Sequence, residues 1–420
     1  MKKIFTYSTL FLLAFSLFPN FTNAAYLASD LLGQLDGSDN PVYTTSTANN
    51  GAGGVNSKGF TFLRGIELDL INHRLFVVDR NNIRILVFNL DTDNNLIDRT
   101  ADYVLGQADF TTVAGATTQN NFLNVIQGIS YDSLNNRLFV ADASNNRVLV
   151  FNTSVITNGM NAAYVLGQPD FVTATAATTQ SGMSGPNRGI LFDNPNNRLF
   201  VSDSSNNRVL IFNTSSISNG MNASYVLGQS NFTTATSAIS QTGFTFSSGL
   251  AYDAINYNLF VSDQNASRLV IYNVTPSAIS NGQNAIGVIG QPNFTTGTTA
   301  TTQGGFNTVA SAVFDSGNNR IYVSDILNNR VMIFDFIRIT TESLPVSSVL
   351  ANTPYTAHTI ATTNNQGTVS YAITSGSLPT GLSLNTTTGE ISGTPEVSGT
   401  YNFTVQATDD NGAIGYFLSQ

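Results

Sequence analysis

The chain has 420 residues, a formal net charge of −9 at neutral pH and no cysteine. This length allows two or three domains with ample core, and the absence of cysteine excludes disulfide bonds as a source of stability. The acidic balance disfavours nucleic acid as a partner, because a negative surface repels phosphate backbones.

The first 24 residues have the pattern of a secretory signal peptide. Lys2 and Lys3 precede the apolar run 4–18, and small residues stand before Ala25. The apolar run is about fifteen residues long, which is shorter than the roughly twenty that a membrane-spanning helix needs. Cleavage would leave 15 basic and 26 acidic residues. We therefore expect a secreted or cell-surface protein with no transmembrane segment after removal of the signal.

One short phrase occurs ten times between residues 69 and 330: an Asp, four residues rich in Asn, and an Arg in every copy except the one that ends at Asn258. The phrase predicts hairpin turns, because Asp accepts backbone N–H groups and Asn tolerates left-handed conformations. The copies form pairs that recur about every sixty residues, as in a repeat protein. We predict structural pairs in these turns for Asp132 with Arg137, Asp142 with Arg147, Asp193 with Arg198, Asp203 with Arg208, Asp315 with Arg320, and Asp325 with Arg330.

Each repeat contains four short β patterns, which together describe a blade of a β-propeller. Five copies span residues 60–336, but the fifth lacks a fourth strand. Residues 26–34 end in the Leu-Gly-Gln phrase that marks the fourth strand elsewhere. We therefore predict an all-β fold with a five-bladed propeller closed by the N-terminal strand, because closure removes an exposed sheet edge. A six-bladed ring that uses residues 35–59 is the alternative.

The repeat phrases resemble NHL repeats, a class of β-propeller. The resemblance is carried by stretches such as Arg137-Leu-Phe-Val-Ala-Asp-Ala-Ser-Asn-Asn-Arg-Val-Leu-Val-Phe151 and covers about residues 26–336. It implies a propeller domain over residues 25–338, followed by a linker at 339–349.

Residues 350–420 have a different β pattern. The stretch Leu378-Pro-Thr-Gly-Leu-Ser-Leu-Asn-Thr-Thr-Thr-Gly-Glu-Ile-Ser-Gly-Thr-Pro395 resembles the Ig-like and cadherin-like modules of bacterial surface proteins, which implies a β-sandwich. Asp409, Asp410 and Asn411 resemble the calcium-binding run of cadherin-like modules. An ordinary hairpin turn explains the same residues. Calcium is thus one of two interpretations, and we predict no other cofactor.

The residue before each innermost strand is expected at the mouth of the propeller channel. These residues are Arg64, Gln127, Arg188, Ser248 and Ala310. Two arginines at one rim of an acidic protein predict a site for a carboxylate or a sugar acid. The alternative is that each arginine pairs with a nearby Asp.

The channel itself offers little for catalysis. Its predicted lining at one equivalent position is Glu67, Ser130, Leu191, Ala251 and Val313. The two histidines fall in separate domains and cannot form one cluster, so we predict no catalytic residue.

We expect binding rather than catalysis. The favoured function is an exported protein that binds a polysaccharide, protein or small ligand through the loop face of the propeller, with the sandwich as a spacer. The Thr-rich connections on that face carry an aromatic residue at regular places, namely Phe110, Phe171, Phe232 and Phe294. A calcium-dependent propeller lyase or hydrolase is the second hypothesis, and a structural component of an envelope or matrix is the third.

Overall fold

The computed structural model describes residues 28–341, 350–363, 365, 367–410 and 414–418. The predicted signal peptide and Asn411 therefore lie outside the described residues. Within these ranges the regular structure is all β apart from short 3-10 turns. None of the helical segments described is long and apolar enough to cross a membrane.

Five antiparallel sheets follow one another along the chain, each built from strands in chain order. Sheet 1 contains β1 (Leu63–Asp69), β2 (Arg74–Asp79), β3 (Arg84–Asn89) and β4 (Tyr103–Leu105). Sheet 2 contains β5 (Ile126–Asp132), β6 (Arg137–Asp142), β7 (Arg147–Asn152) and β8 (Tyr164–Leu166). Sheet 3 contains β9 (Pro186–Asp193), β10 (Arg198–Asp203), β11 (Arg208–Asn213) and β12 (Tyr225–Leu227). Sheet 4 contains β13 (Ser247–Asp253), β14 (Asn258–Asp263), β15 (Arg268–Asn273) and β16 (Gly287–Ile289). Sheet 5 contains β17 (Val309–Asp315), β18 (Arg320–Asp325) and β19 (Arg330–Asp335).

The Asp-to-Arg phrases form the two hairpin turns of each sheet. In sheet 2, Asp132 lies opposite Arg137, and Asp142 lies opposite Arg147. The turn between the second and third strands is a short 3-10 segment that ends on a left-handed residue, such as Asn146 with φ 51°. Asn suits this position because its short polar side chain tolerates the left-handed region.

Neighbouring sheets pack face to face through their alternating apolar residues. Leu138 and Val140 of sheet 2, for example, share one buried cluster with Phe76 and Val78 of sheet 1. The innermost strands contact one another in succession, β1 with β5, β5 with β9, β9 with β13 and β13 with β17. This succession of sheets is the arrangement of propeller blades.

Glycine in an innermost strand permits the closest of these contacts. A Cβ atom on Gly189 would lie 2.0 Å from the carbonyl oxygen of Ser248 in the next sheet and 2.3 Å from the hydroxyl of Ser202. The position therefore has room for hydrogen only, and the backbones of β9 and β13 meet there.

The two ends of the series are open in the described part of the chain. Ile66 of sheet 1 is 67% exposed and Val313 of sheet 5 is 66% exposed, whereas their counterparts in the inner sheets are covered by the next sheet. Strand β19 pairs with β18 and with no other described strand.

The predicted closure by residues 26–34 is not seen in the described residues 28–34. Instead, Leu32 packs against the buried cluster of sheet 1. Asp30 Oδ1 accepts a 2.6 Å hydrogen bond from Nε of Arg99, which belongs to the connection between β3 and β4. These contacts hold the segment against sheet 1 and away from the edge of β19. The closed five-bladed ring remains a prediction.

The C-terminal region forms a sandwich-like unit of small sheets. Its strands are β20 (Arg338–Ile339), β21 (Tyr355–Thr359), β22 (Thr362–Thr363), β23 (Val369–Gly376), β24 (Leu382–Leu384), β25 (Glu390–Gly393), β26 (Phe403–Asp409) and β27 (Ile414–Leu418). They pair as β20-β22, β21-β25-β24 and β23-β26-β27. The core includes Tyr371, Ile391 and Val405. The unit touches the end of the sheet series, since Ile337 N–H donates a 2.9 Å hydrogen bond to Ile414 O.

Candidate functional site: the arginine rim

Most turn arginines are fully occupied by structural contacts. Arg147 is buried, and its Nε donates to Asp142 Oδ2 at 2.8 Å. Its Nη1 donates to Phe171 O at 2.6 Å, and its Nη2 to Thr118 O and Asn121 O at 2.9 and 2.8 Å. One guanidinium thus fastens the turn to the segments before β5 and after β8.

The same arrangement recurs around the series. The pairs Arg84 with Asp79, Arg208 with Asp203, and Arg268 with Asp263 are all completely buried. Arg330 pairs with Asp325 at 2.7 Å, with the arginine partly exposed. Phe110, Phe171, Phe232 and Phe294 supply carbonyl acceptors to these arginines, while their rings pack against the buried clusters. The four aromatic residues therefore anchor the loops.

The first turns of the sheets use arginine differently. Arg137 and Arg198 pair with Asp132 and Asp193 in their own turns. Each also reaches the next sheet, as when Arg137 Nη1 donates to Thr214 O at 2.7 Å. These arginines join neighbouring sheets as well as closing a turn.

One first turn departs from the predicted pairs. Arg320 forms its ion pair with Asp335 rather than with Asp315. It lies opposite Asp335 in the β18-β19 ladder, where the inner repeats have Asn, so a second carboxylate competes for it. Asp315 accepts hydrogen bonds from Gly317 N–H and from Asn318 within its own turn.

Three arginines meet at the rim without any acidic partner among the described residues. Arg64 and Arg188 lie near the start of the innermost strands β1 and β9 rather than before them as predicted, and Arg80 belongs to the second turn of sheet 1. Burial lowers the pKa of Arg64, and the positive charges of Arg188 and Arg80 lower it further. Burial and the charge of Arg80 likewise lower the pKa of Arg188. The charged groups that shift both values are other arginines.

Four buried polar atoms of this cluster have no hydrogen-bond partner within the described chain. The Nε atoms of Arg64, Arg80 and Arg188 are buried and have no hydrogen-bond partner there, and the same holds for Oε1 of Gln127. Buried polar groups normally find partners, so a group of unsatisfied donors with an acceptor marks a candidate binding site. We call Phe62, Arg64, Arg80, Gln127 and Arg188 the arginine rim.

Phe62 gives the arginine rim an aromatic surface. It is 55% exposed and has a φ of 62°, a left-handed conformation that is unusual for a bulky residue. The Cζ atoms of Arg64 and Arg80 lie 4.7 and 5.3 Å from the centroid of its ring, within the range of cation–π contacts. Strained backbone of this kind clusters at functional sites.

Among the predicted rim residues, the structure brings Arg64 and Arg188 together and gives Ser248 a different role. Ser248 is buried and donates a 3.3 Å hydrogen bond to Ala310 O in the next sheet. Sequence reasoning missed Arg80. Arg80 directly follows the Asp of the second turn, and a cation at this position occurs in sheet 1 alone of the five sheets. This difference was the signal in the sequence, since the other sheets have Ala143, Ser204, Gln264 and Ile326 there.

Glu67, one of the residues predicted to line the channel, has a strongly shifted pKa. Burial raises the pKa of Glu67 from 4.5 to about 7. In the unfolded chain the Glu67 carboxyl ionises near pH 4.5. The raised pKa therefore stabilises the folded state fully below pH 4.5, and this contribution is lost as pH rises through about 7.

We therefore expect the free energy of unfolding of Glu67→Gln, measured relative to that of the original chain, to be higher at pH 8 than at pH 4 by at least about 1 kcal/mol. Urea unfolding of both proteins at the two pH values measures this, since other carboxylates cancel in the comparison. An equal difference at both values would show that Glu67 ionises freely.

Of the predicted calcium residues, Asp410 has structural contacts. Oδ2 and Oδ1 of Asp410 accept hydrogen bonds from N–H and Oγ1 of Thr368 at 2.9 and 2.6 Å, and these bonds lower the pKa of Asp410. Asp409 is buried at the end of β26. No group of three or more His, Cys, Asp or Glu side chains in the described ranges is placed to hold a metal ion. Calcium binding stays a prediction.

Comparison with known proteins defines the C-terminal unit most clearly. Residues 338–417 match the family described as Putative Ig domain. The chain is thus a series of propeller-like sheets followed by an Ig-like domain. No curated protein matches it.

The solved structures that are similar to this chain include two at low sequence identity. The nidogen/laminin complex aligns over 65% of this chain and 75% of its own, at 17% identity and a TM-score of 0.40. A putative 6-phosphogluconolactonase from Bacteroides uniformis aligns over 64% of this chain and 65% of its own, at 13% identity and a TM-score of 0.41. Likeness at this level carries no argument about function.

Proposed function

We propose that this protein is exported and acts at the cell surface or outside the cell as a binding protein. Its contact surface is the face of the propeller-like unit that carries the arginine rim, and the Ig-like domain serves as a spacer. The signal-like pattern of residues 1–24 supports export.

The observation that carries the proposal is the lack of acidic partners for the rim arginines. The part of the chain that the structure describes contains 15 Lys and Arg residues, and ten of them form ion pairs. Of the remaining five, Arg64, Arg80 and Arg188 lie together at the arginine rim. An acidic protein that concentrates its unpaired cations in one place is suited to bind an anion there.

A carboxylate is the ligand group that this site suits best. The planar guanidinium presents two parallel N–H donors that match the two oxygens of a carboxylate. The Nε donors of Arg64 and Arg188 have no hydrogen-bond partner among the described residues, so a carboxylate would satisfy them. A sugar acid would bring the carboxylate on a polysaccharide, a common component of cell surfaces.

We expect the double variant Arg64→Gln/Arg188→Gln to bind polygalacturonate at least about tenfold more weakly than the original protein. The reason is the loss of two charge-assisted hydrogen-bonding groups, each contributing about 1.5–3 kcal/mol. Isothermal titration calorimetry measures the affinity.

The matched control is Arg338→Gln, because Arg338 is exposed and forms none of the ion pairs among the described residues. It removes one positive charge far along the chain from the rim and should leave the affinity unchanged. Equal affinity of the original protein and the double variant would contradict the proposal that the arginine rim binds the ligand.

A further inference from the structure

We propose that Arg80 completes the arginine rim as a site for an acidic oligosaccharide that presents at least two carboxylates, such as an oligouronate. This inference rests on the proposed function and specifies its ligand class. It adds a residue that belongs to a turn and not to an innermost strand.

Three positive charges act on one another at the arginine rim. Arg64 and Arg80 both lie over the ring of Phe62, at 4.7 and 5.3 Å from its centroid, and the charge of Arg80 also acts on Arg188. A single carboxylate can neutralise one or two of these groups and leaves uncompensated repulsion. A second carboxylate on the same ligand relieves this repulsion. Because the two carboxylates are linked, the second contact is intramolecular and strengthens binding.

The arginine rim combines hydrogen-bond donors with an acceptor. Oε1 of Gln127 is a buried acceptor without a partner, so it needs a donor from the ligand. An ionised carboxylate has no donor to give, whereas a sugar hydroxyl has one. The exposed ring of Phe62 adds an apolar surface beside the cations. Carboxylates, hydroxyls and a partly apolar ring occur together in uronic acids.

The turn makes little use of the Arg80 side chain. The neighbouring Asp79 is already paired with Arg84 at 2.8 Å. Apart from its cation–π contact with Phe62, the Arg80 side chain makes one weak contact, from Nη1 to Asn81 Oδ1 at 3.4 Å. The equivalent position of sheet 4 holds Gln264 in the same kind of turn. Arg80→Gln therefore copies a residue that this fold already accepts.

The experiment compares galacturonate with trigalacturonate on the original protein, Arg80→Gln, the double variant Arg64→Gln/Arg188→Gln, and Arg338→Gln. In the original protein and in Arg338→Gln, we expect trigalacturonate to bind at least about tenfold more tightly than the monomer. In Arg80→Gln this ratio should fall to about threefold, the gain expected from three equivalent single contacts.

The outcomes separate the two proposals. Absence of galacturonate and trigalacturonate binding in the original protein overturns the proposed function at this site. Binding with an undiminished trimer-to-monomer ratio in Arg80→Gln overturns the role of Arg80 alone. Acetate or inorganic sulfate binding as tightly as trigalacturonate overturns the oligosaccharide class, because neither ion donates a hydrogen bond to Gln127.

Discussion

Replacing Arg147 by Met is expected to lower the free energy of unfolding by about 3–5 kcal/mol, the cost of removing one partner from a buried ion pair. The variant leaves the carboxylate of Asp142 in a completely buried position, where burial already raises its pKa. It also leaves the carbonyl groups of Phe171, Thr118 and Asn121 without their donor. Urea unfolding followed by circular dichroism measures the change.

The chain supplies its own control for this prediction. Arg320 comes from the same repeated phrase, but it is 37% exposed and pairs with the 54% exposed Asp335. Exposed ion pairs contribute about 0–1 kcal/mol, so Arg320→Met should change stability by no more than that. Similar losses in both variants would mean that burial does not decide the contribution of the turn arginines.

Adding a methyl group to the innermost strand of sheet 3 is expected to be comparably damaging. In Gly189→Ala, the new Cβ would lie 2.0 Å from a backbone oxygen of sheet 4, and a backbone atom cannot turn aside as a side chain can. The two innermost strands must then separate, at a cost of about 3 kcal/mol or more. The same unfolding measurement detects the loss.

Gly54→Ala is the matched control, because nothing lies within 4 Å of a Cβ atom at Gly54. Its effect should stay within about 0.5 kcal/mol, as for ordinary surface substitutions. If Gly189→Ala were as stable as Gly54→Ala, the close approach of β9 and β13 would not exist in solution.

Local features of the sheets were predictable from the sequence because their causes are local. Asp132 and Arg137 are five residues apart, and a hairpin turn is sufficient to place them opposite each other. The strands follow from runs of β-branched and aromatic residues. The alignment of repeats also placed Arg64 and Arg188 at equivalent positions.

Three contacts were not predictable from the sequence, because each depends on competition between partners that are distant in the chain. Arg320 chooses Asp335 over Asp315 across a second ladder. Ser248 is used by the neighbouring sheet. The N-terminal segment packs Leu32 against the buried cluster of sheet 1 and pairs Asp30 with Arg99, a choice between the two ends of the fold that strand propensity does not encode.

Arg80 was missed for a different reason. Its turn phrase predicts a structural role for every residue in it, although the side chain of Arg80 takes no part in the turn. Only the three-dimensional arrangement places its charge beside those of Arg64 and Arg188. A repeat that tolerates Ala, Ser, Gln or Ile at the same place indicates that the arginine is not required for folding.

In this account, the ion-paired arginines stabilise the fold and the three unpaired arginines of the arginine rim bind a ligand. Measuring stability and polygalacturonate affinity on the one double variant Arg64→Gln/Arg188→Gln tests it most directly. We predict a free energy of unfolding that is unchanged or higher, because mutual repulsion is relieved, together with affinity at least about tenfold weaker. A loss of several kcal/mol in stability with unchanged affinity would contradict the claim.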